Sequence, residues 1–391
     1  VRGVTAPAAT ARPPEAPAAS SLARRLHLVE PALLLGACVI FVGVDALSPT
    51  GQAAVGHATR DLFDHLALLD HWSLRAPEQA FPDGGALFPP DLTGMVLAAP
   101  ALALGLPRAL AWNLMVLGQL WLACLAAWAL GRRYGAGLVA GVGFGLSPYL
   151  LGQALSGEAE TLAAWPLPLM ALLLERGADH WRAPDQATGS APRLLVLAGL
   201  AAAMGALGAW YYGAFISAYL LVWLLLRGWG VRGFDRRSLI APLSFAVAIA
   251  GPALAYARVL AASDQLFRGP SMSTYLAHYP RSLAGMVADP AAFFGPGTPG
   301  SGHADNLGVV LVGLAIMGTL RGARGRERAA WWWAVAVGAL VLALGPVLYV
   351  RGSPVWDWMP YRLLAELPLL GLMRLPHRWL LVVFLGLSVQ I

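Results

Sequence analysis

Residues 109–130 read Ala-Leu-Ala-Trp-Asn-Leu-Met-Val-Leu-Gly-Gln-Leu-Trp-Leu-Ala-Cys-Leu-Ala-Ala-Trp-Ala-Leu, without a charge, and Arg132-Arg133 follow almost at once. A helix of that length rises about 33 Å, enough to cross the hydrocarbon core of a bilayer. Similar apolar runs recur along the chain. Of its 391 residues 58% are hydrophobic and 12% charged, whereas globular chains carry about 25% charge. Lipid cannot satisfy an open backbone, so repeated runs of this kind mean an all-α, polytopic transmembrane bundle. Spans are expected at 28–47, 109–130, 136–154, 162–174, 194–209, 211–226, 239–260, 307–320, 331–350 and from 379 onward, about ten in this chain. Those at 162–174 and 307–320 are short for full crossings.

Residues 1–27 are rich in Ala, Pro and Thr, carry Arg24-Arg25 and lack an apolar core. They read as a disordered cytoplasmic tail rather than a signal peptide, and 28–391 as the membrane domain. The net charge of +6 is a matter of topology, and no nucleic-acid partner is expected. The short apolar stretch 92–106 decides that topology. If it dips into the interface without crossing, the Arg-bearing segments at 132–133, 227–237 and 321–328 all face the cytoplasm, as positive-inside placement requires. The outer segments are then 48–108, 261–306 and 351–378, and the chemistry belongs on that side. Cys38 and Cys124 fall inside apolar runs and support neither a disulfide nor a thiolate metal site. The chain opens on Val and stops at Ile391 inside an apolar run, as expected of a fragment truncated at its C-terminus.

The first outer loop holds a polar island, residues 57–91, with Asp61, Asp64, Asp70, Glu78, Asp83 and Asp91 among His57, His65 and His71. Acids beside a bilayer are costly, so the cluster is a candidate reaction centre, the alternative being a solvated loop. Asp61 to Trp72 reads as an amphipathic interfacial helix. Asp61, Asp64 and His65 share one face, and Leu62, Phe63, Leu66 and Leu69 lie mainly on the other. Glu158 and Glu160 stand where a span exits, either facing the loop acids across a cavity or capping the next helix. Trp210-Tyr211-Tyr212 marks an outer boundary. An aromatic belt accounts for it, and stacking on sugar rings is its candidate functional role. Arg374 and Arg378 flank Leu375-Pro376-His377 at an outer surface that should be poor in Arg. They suit an anionic headgroup or a diphosphate, with snorkelling as the alternative. There is no P-loop, dinucleotide fingerprint, His-Glu-x-x-His or lipase-type elbow, and no metal site is assigned.

Several short motifs occur in order: Gly56-His57…Asp61-Leu62-Phe63-Asp64-His65, Phe81-Pro82-Asp83-Gly84-Gly85, Ala111-Trp112-Asn113-Leu114, Ser147-Pro148-Tyr149-Leu150-Leu151 with Gly157-Glu158, Trp210-Tyr211-Tyr212-Gly213, Leu344-Gly345-Pro346, and the closing Arg374–Arg378. Together they resemble bacterial polytopic glycosyltransferases of the GT-C superfamily, with a YfhO-like or mannosyltransferase-like layout. The resemblance implies a bacterial inner-membrane enzyme with its active side extracytoplasmic. It would move a sugar from a polyprenyl-phosphate donor, among membrane lipids, to an extracytoplasmic acceptor in the cell envelope. It places the catalytic acid in the first outer loop, at Asp61 or Asp64, without choosing between them. His65, Glu158, Glu160, Trp210, Tyr211, Tyr212, Arg374 and Arg378 are then expected to bind substrate. Some members carry an adjacent Asp-Asp or a Glu-x-Asp pair. Here Asp61-x-x-Asp64 stands instead, so a divalent cation is left open and no cofactor is assigned. The alternatives are a transporter or flippase of lipid-linked sugars, and a non-catalytic envelope-assembly protein. The topology is testable: cysteines introduced at 56 and 300 should label from outside and one at 132 only from the cytoplasm. Outward labelling at 132 would invert every later span.

Overall fold

The computed structural model describes residues 21–50, 53–56, 62, 66, 69, 91–182, 190–227, 229–230, 233–262, 308–321, 326–350, 353–365 and 376–391. These residues are mostly helical, with only two short hairpins. Four helical stretches are long and apolar enough to cross a membrane: Arg108–Tyr134, Gly137–Ser156, Ser190–Gly208 and Arg236–Ala255. Other apolar helices, among them Trp210–Leu226 and Pro376–Val389, are shorter. Among the described residues helix length thus identifies four candidate crossings, not the ten expected.

Helix α1 is Ser21–Val42, so it starts seven residues ahead of the expected span. The last tail proline is Pro17, and Leu22, Ala23, Arg24 and Arg25 are good helix formers. Helix α2, Leu92–Ala103, is capped by Asp91, whose carboxylate accepts from the Gly94 N–H. Its twelve residues rise about 18 Å, short of the hydrocarbon thickness. Helix α3, Arg108–Gly131, packs against α1 and α2. Near its N-terminal end two polar side chains organise the chain that precedes α2. Asn113 accepts from the Val55 N–H (2.7 Å) and donates to the carbonyls of Ala46 (2.7 Å) and Ala53 (2.8 Å). Trp112 donates to the Val55 carbonyl (2.8 Å). Irregular backbone at this depth is tolerated only when its polar groups are satisfied.

The run 136–154 is two helices, α4 (Gly137–Gly145) and α5 (Pro148–Ser156). Pro148 lacks the N–H that a continuous helix needs, and Ser147 caps the restart through its side chain. Gly145 lies so close to α3 that a Cβ there would fall 2.4 Å from the Cys124 sulfur. Small residues let membrane helices approach in this way. After α6 (Ala159–Leu162), helix α7 starts at Pro166 and runs to Arg182, later than 162–174 at both ends. Proline is favoured in a first turn, where its missing N–H costs nothing. Helix α8 (Ser190–Gly208) packs on α7, on α9 (Trp210–Arg227) and on α10 (Ile240–Ala262). Between α9 and α10, Trp229–Gly230 (β1) pairs antiparallel with Gly233–Phe234 (β2).

Helices α11 (Val309–Arg321) and α12 (Arg326–Ala343) follow. The expected span to 350 ends early because Gly345 takes φ +83° and Pro346 follows it. The next residues form a hairpin, β3 (Leu348–Val350) with β4 (Ser353–Trp356), and then the short α13 (Tyr361–Ala365). The last helix, α14 (Leu380–Val389), is buried on every face and packs against α3, α4, α5, α11 and α12. A helix that is apolar all round belongs inside a bundle. Cys38 and Cys124 meet in the core with sulfurs 3.9 Å apart, both as free thiols.

The Asn113 lock predicts a measurable cost. Asn113→Leu strands three backbone groups in a buried setting, so it should lower stability by at least about 2 kcal/mol. Chemical unfolding in detergent micelles reads this, and an unchanged midpoint would show that Asn113 does not hold the segment.

Candidate functional site

The site is built on the turn between α5 and α6. Helix α5 ends at Gly157, which takes the left-handed φ of +76°. That conformation suits glycine, and space demands it too: a Cβ would lie 2.6 Å from the Leu62 Cβ and 3.0 Å from the Leu62 nitrogen. Leu62, from the segment that precedes α2, is therefore seated on this turn. Leu62 and Leu69 are buried and Leu66 is half-buried.

Glu158 follows directly and is 7% exposed. Its N–H donates to the Gln153 carbonyl (3.1 Å), and its carbonyl accepts from the Thr161 hydroxyl (2.6 Å). The Thr161 carbonyl in turn accepts from the Tyr212 hydroxyl. These bonds fix the Glu158 backbone and leave its carboxylate for another partner. That partner is Arg378, whose Nη2 donates to Glu158 Oε2 at 3.1 Å, from a guanidinium whose side chain is 14% exposed. The two residues are 220 positions apart.

Aromatic rings enclose the pair. The Arg378 guanidinium lies 4.1 Å from the centre of the Tyr211 ring, a cation–π geometry. Tyr211 and Tyr212 meet edge to face at 5.0 Å, and Trp210 meets Tyr211 at 5.8 Å. Phe215 packs on Trp379 at 4.4 Å, which seats the turn carrying Arg378. Glu160 and Tyr149 lie within electrostatic reach of Arg378. Burial pushes the Tyr361 phenol above its ordinary range, and the Arg378 charge opposes that rise. Among the described residues the hydroxyl of Tyr211 and the Nε of Arg378 are buried donors without a hydrogen-bond partner.

Six of the ten expected residues thus lie in one neighbourhood: Glu158, Glu160, Trp210, Tyr211, Tyr212 and Arg378. Asp61, Asp64, His65 and Arg374 lie outside the described residues, as does most of the amphipathic segment 61–72. Glu158 makes no side-chain cap bond to α6, so its carboxylate goes to Arg378 and not to the helix start. Of the loop acids only Asp91 is described. It is 4% exposed and bonded to Gly94 N–H (2.6 Å) and to the Thr93 hydroxyl (2.9 Å), which is the work of a helix cap. The sequence reading did not assign Tyr149, Tyr361 or Trp379 to the site. Tyr149 and Tyr361 stand beside prolines at helix starts, the one local signal they carry. Among the described residues no group of three or more His, Cys, Asp or Glu could hold a metal ion.

A buried ion pair is strongly coupled: removing either partner leaves a charge in a poorly solvating place, typically at a cost of about 3–5 kcal/mol. Glu158→Gln and Arg378→Met should each destabilise by roughly that amount, and the double variant should recover most of it. Simple addition of the two single effects in an unfolding titration would show that the charges do not depend on one another.

No protein-family model, curated protein or solved structure matches this chain.

Proposed function

We propose that the chain is a multi-pass glycosyltransferase of GT-C type in the bacterial inner membrane. It transfers a sugar from a polyprenyl-phosphate donor to an acceptor on the extracytoplasmic face. In this reading the four long helices and the shorter apolar ones together make about ten spans, and α2 dips into the interface. The observation that carries it is the convergence of Glu158, Glu160, Arg378, Tyr211 and Tyr212 beside Leu62. Leu62 is covalently next to Asp61 and two residues from Asp64.

The chemistry follows from those parts. A first-loop carboxylate, Asp61 or Asp64, takes the proton of the acceptor hydroxyl as the bond from the sugar C1 to the lipid phosphate breaks. Arg378, with a buried Nε that has no partner among the described residues, and Arg374 stabilise the departing phosphate. Glu158 keeps Arg378 oriented, Glu160 and the Tyr211 hydroxyl bond sugar hydroxyls, and Tyr212, whose hydroxyl is held by the Thr161 carbonyl, lines the site with its ring. Trp210 is 38% exposed at the edge of the cluster, where a sugar ring can stack on it. A buried cation–carboxylate pair inside an aromatic shell at one end of the bundle favours transfer over transport, which needs a polar path across the membrane.

The test is sugar transfer from a lipid-phosphate donor by the full-length protein with Asp61→Asn, Asp64→Asn and both. Loss of a general base should reduce turnover roughly 100- to 10,000-fold. An acid that only solvates the loop should cost almost nothing. Parental turnover in the double variant, with insertion and folding intact, would move the catalytic centre out of the first loop and favour a carrier of lipid-linked sugars.

A further inference from the structure

A second polar cluster lies at the other end of the same helices. Helix α8 carries Ser190 and Arg193 at its start and ends at Gly208, two residues before Trp210 of the first cluster, which at 1.5 Å per residue separates the two clusters by roughly 25 Å. There a surface pocket of about 530 Å³ opens between the end of α3, the C-terminal half of α7 and the start of α8. It is lined by Arg133, Arg176, His180, Ser190, Arg193 and Leu194. No acid is among its described lining residues.

The charges at this pocket are unequal in their commitments. Arg133 is paired with Asp179 and is largely buried, its side chain 17% exposed, and its Nε has no hydrogen-bond partner among the described residues. Glu175, one turn before Asp179 on α7, is buried at 3% exposure and is not part of the lining. Arg176 and Arg193 are exposed and make no ion pair among the described residues. His180 bonds the Arg176 carbonyl through Nδ1 (2.8 Å), which ties it to the α7 backbone. Two uncommitted guanidinium groups thus face a shared concavity whose third Arg is fixed in its wall.

Scattered arginines at a cytoplasmic membrane surface are explained by topology alone. A concave pocket with converging guanidinium groups and no acid among its described lining residues is a different object. Planar guanidinium forks match phosphate oxygens, and basic pockets between transmembrane helices at the cytoplasmic face hold anionic lipid headgroups. The volume lies within the range of small-ligand pockets. Leu194 and the aliphatic stems of the arginines provide an apolar edge for the start of an acyl chain.

We propose that this pocket binds the phosphate of an anionic membrane-lipid headgroup, as a site separate from the Glu158–Arg378 cluster. The proposal rests on the membrane reading but not on sugar transfer, so its test involves no transfer assay. Fluorescent phosphatidylglycerol and phosphatidylcholine would be titrated into the full chain in neutral detergent. The comparison is between the parent, Arg176→Gln/Arg193→Gln, and Arg236→Gln, an exposed Arg on the same expected face outside the pocket. The parent should prefer phosphatidylglycerol. The double variant should bind it about thirty-fold more weakly, from roughly a tenfold or smaller loss per charge near a membrane surface. Arg236→Gln should bind like the parent. Equal binding by the double variant and the parent, or an equal loss in Arg236→Gln, would overturn the site. Full displacement by inorganic phosphate would overturn the lipid and assign the pocket to a soluble phosphate.

Discussion

The ion pair between Glu158 and Arg378 is the constraint on which the arrangement at one end of this bundle depends. In a setting built from Leu, Ala, Tyr and Trp, neither charge could be kept without the other. The pair joins the turn after α5 to the turn before α14, which are far apart in sequence. Helix α14 is buried on all sides, so the turn that feeds it has little freedom. Phe215 against Trp379 and Tyr211 beneath the guanidinium then fix the start of α9 to the same point. Three parts of the chain are registered against one another by a few polar and aromatic contacts.

Close approach makes this possible. Gly157 admits the backbone of Leu62, and Gly145 admits Cys124, each where a methyl group would collide. Membrane helices gain little from hydrophobic burial against one another, because lipid tails are as apolar as leucine. Their association comes from tight packing and from hydrogen bonds such as those of Asn113 to the 46–55 segment. The small residues are therefore as much a part of the site as the charged ones.

The two ends of the bundle differ in chemistry. One end holds a carboxylate–guanidinium pair in an aromatic shell beside Leu62, the place of the proposed transfer. The other holds arginines around a concavity, which suits an anionic headgroup. Under the proposed function, a lipid bound at one face would fix the depth of the protein relative to the reaction at the other.

Much was legible from composition and pattern. Uncharged runs such as 109–130 require helices wherever lipid cannot bond to the backbone, but the expected spans 136–154, 162–174 and 331–350 ran through the prolines at 148, 166 and 346, where the helices in fact start or stop. Glu158, Tyr211 and Arg378 were visible as candidates, because polar groups at the edges of apolar runs are costly and few. Their pairing was not legible, since no local rule relates residues 220 positions apart. The same holds for Cys38 meeting Cys124 and for the arginine pocket, assembled from three helices. Asp91 shows the converse: as a loop acid it resembled the others, and only its bonds to Gly94 and Thr93 make it a cap. Local sequence decides which segments leave water, because that is a property of each segment's own surface. Which polar groups then meet is decided by packing, because in a dry interior each charge must find its partner wherever the fold brings one.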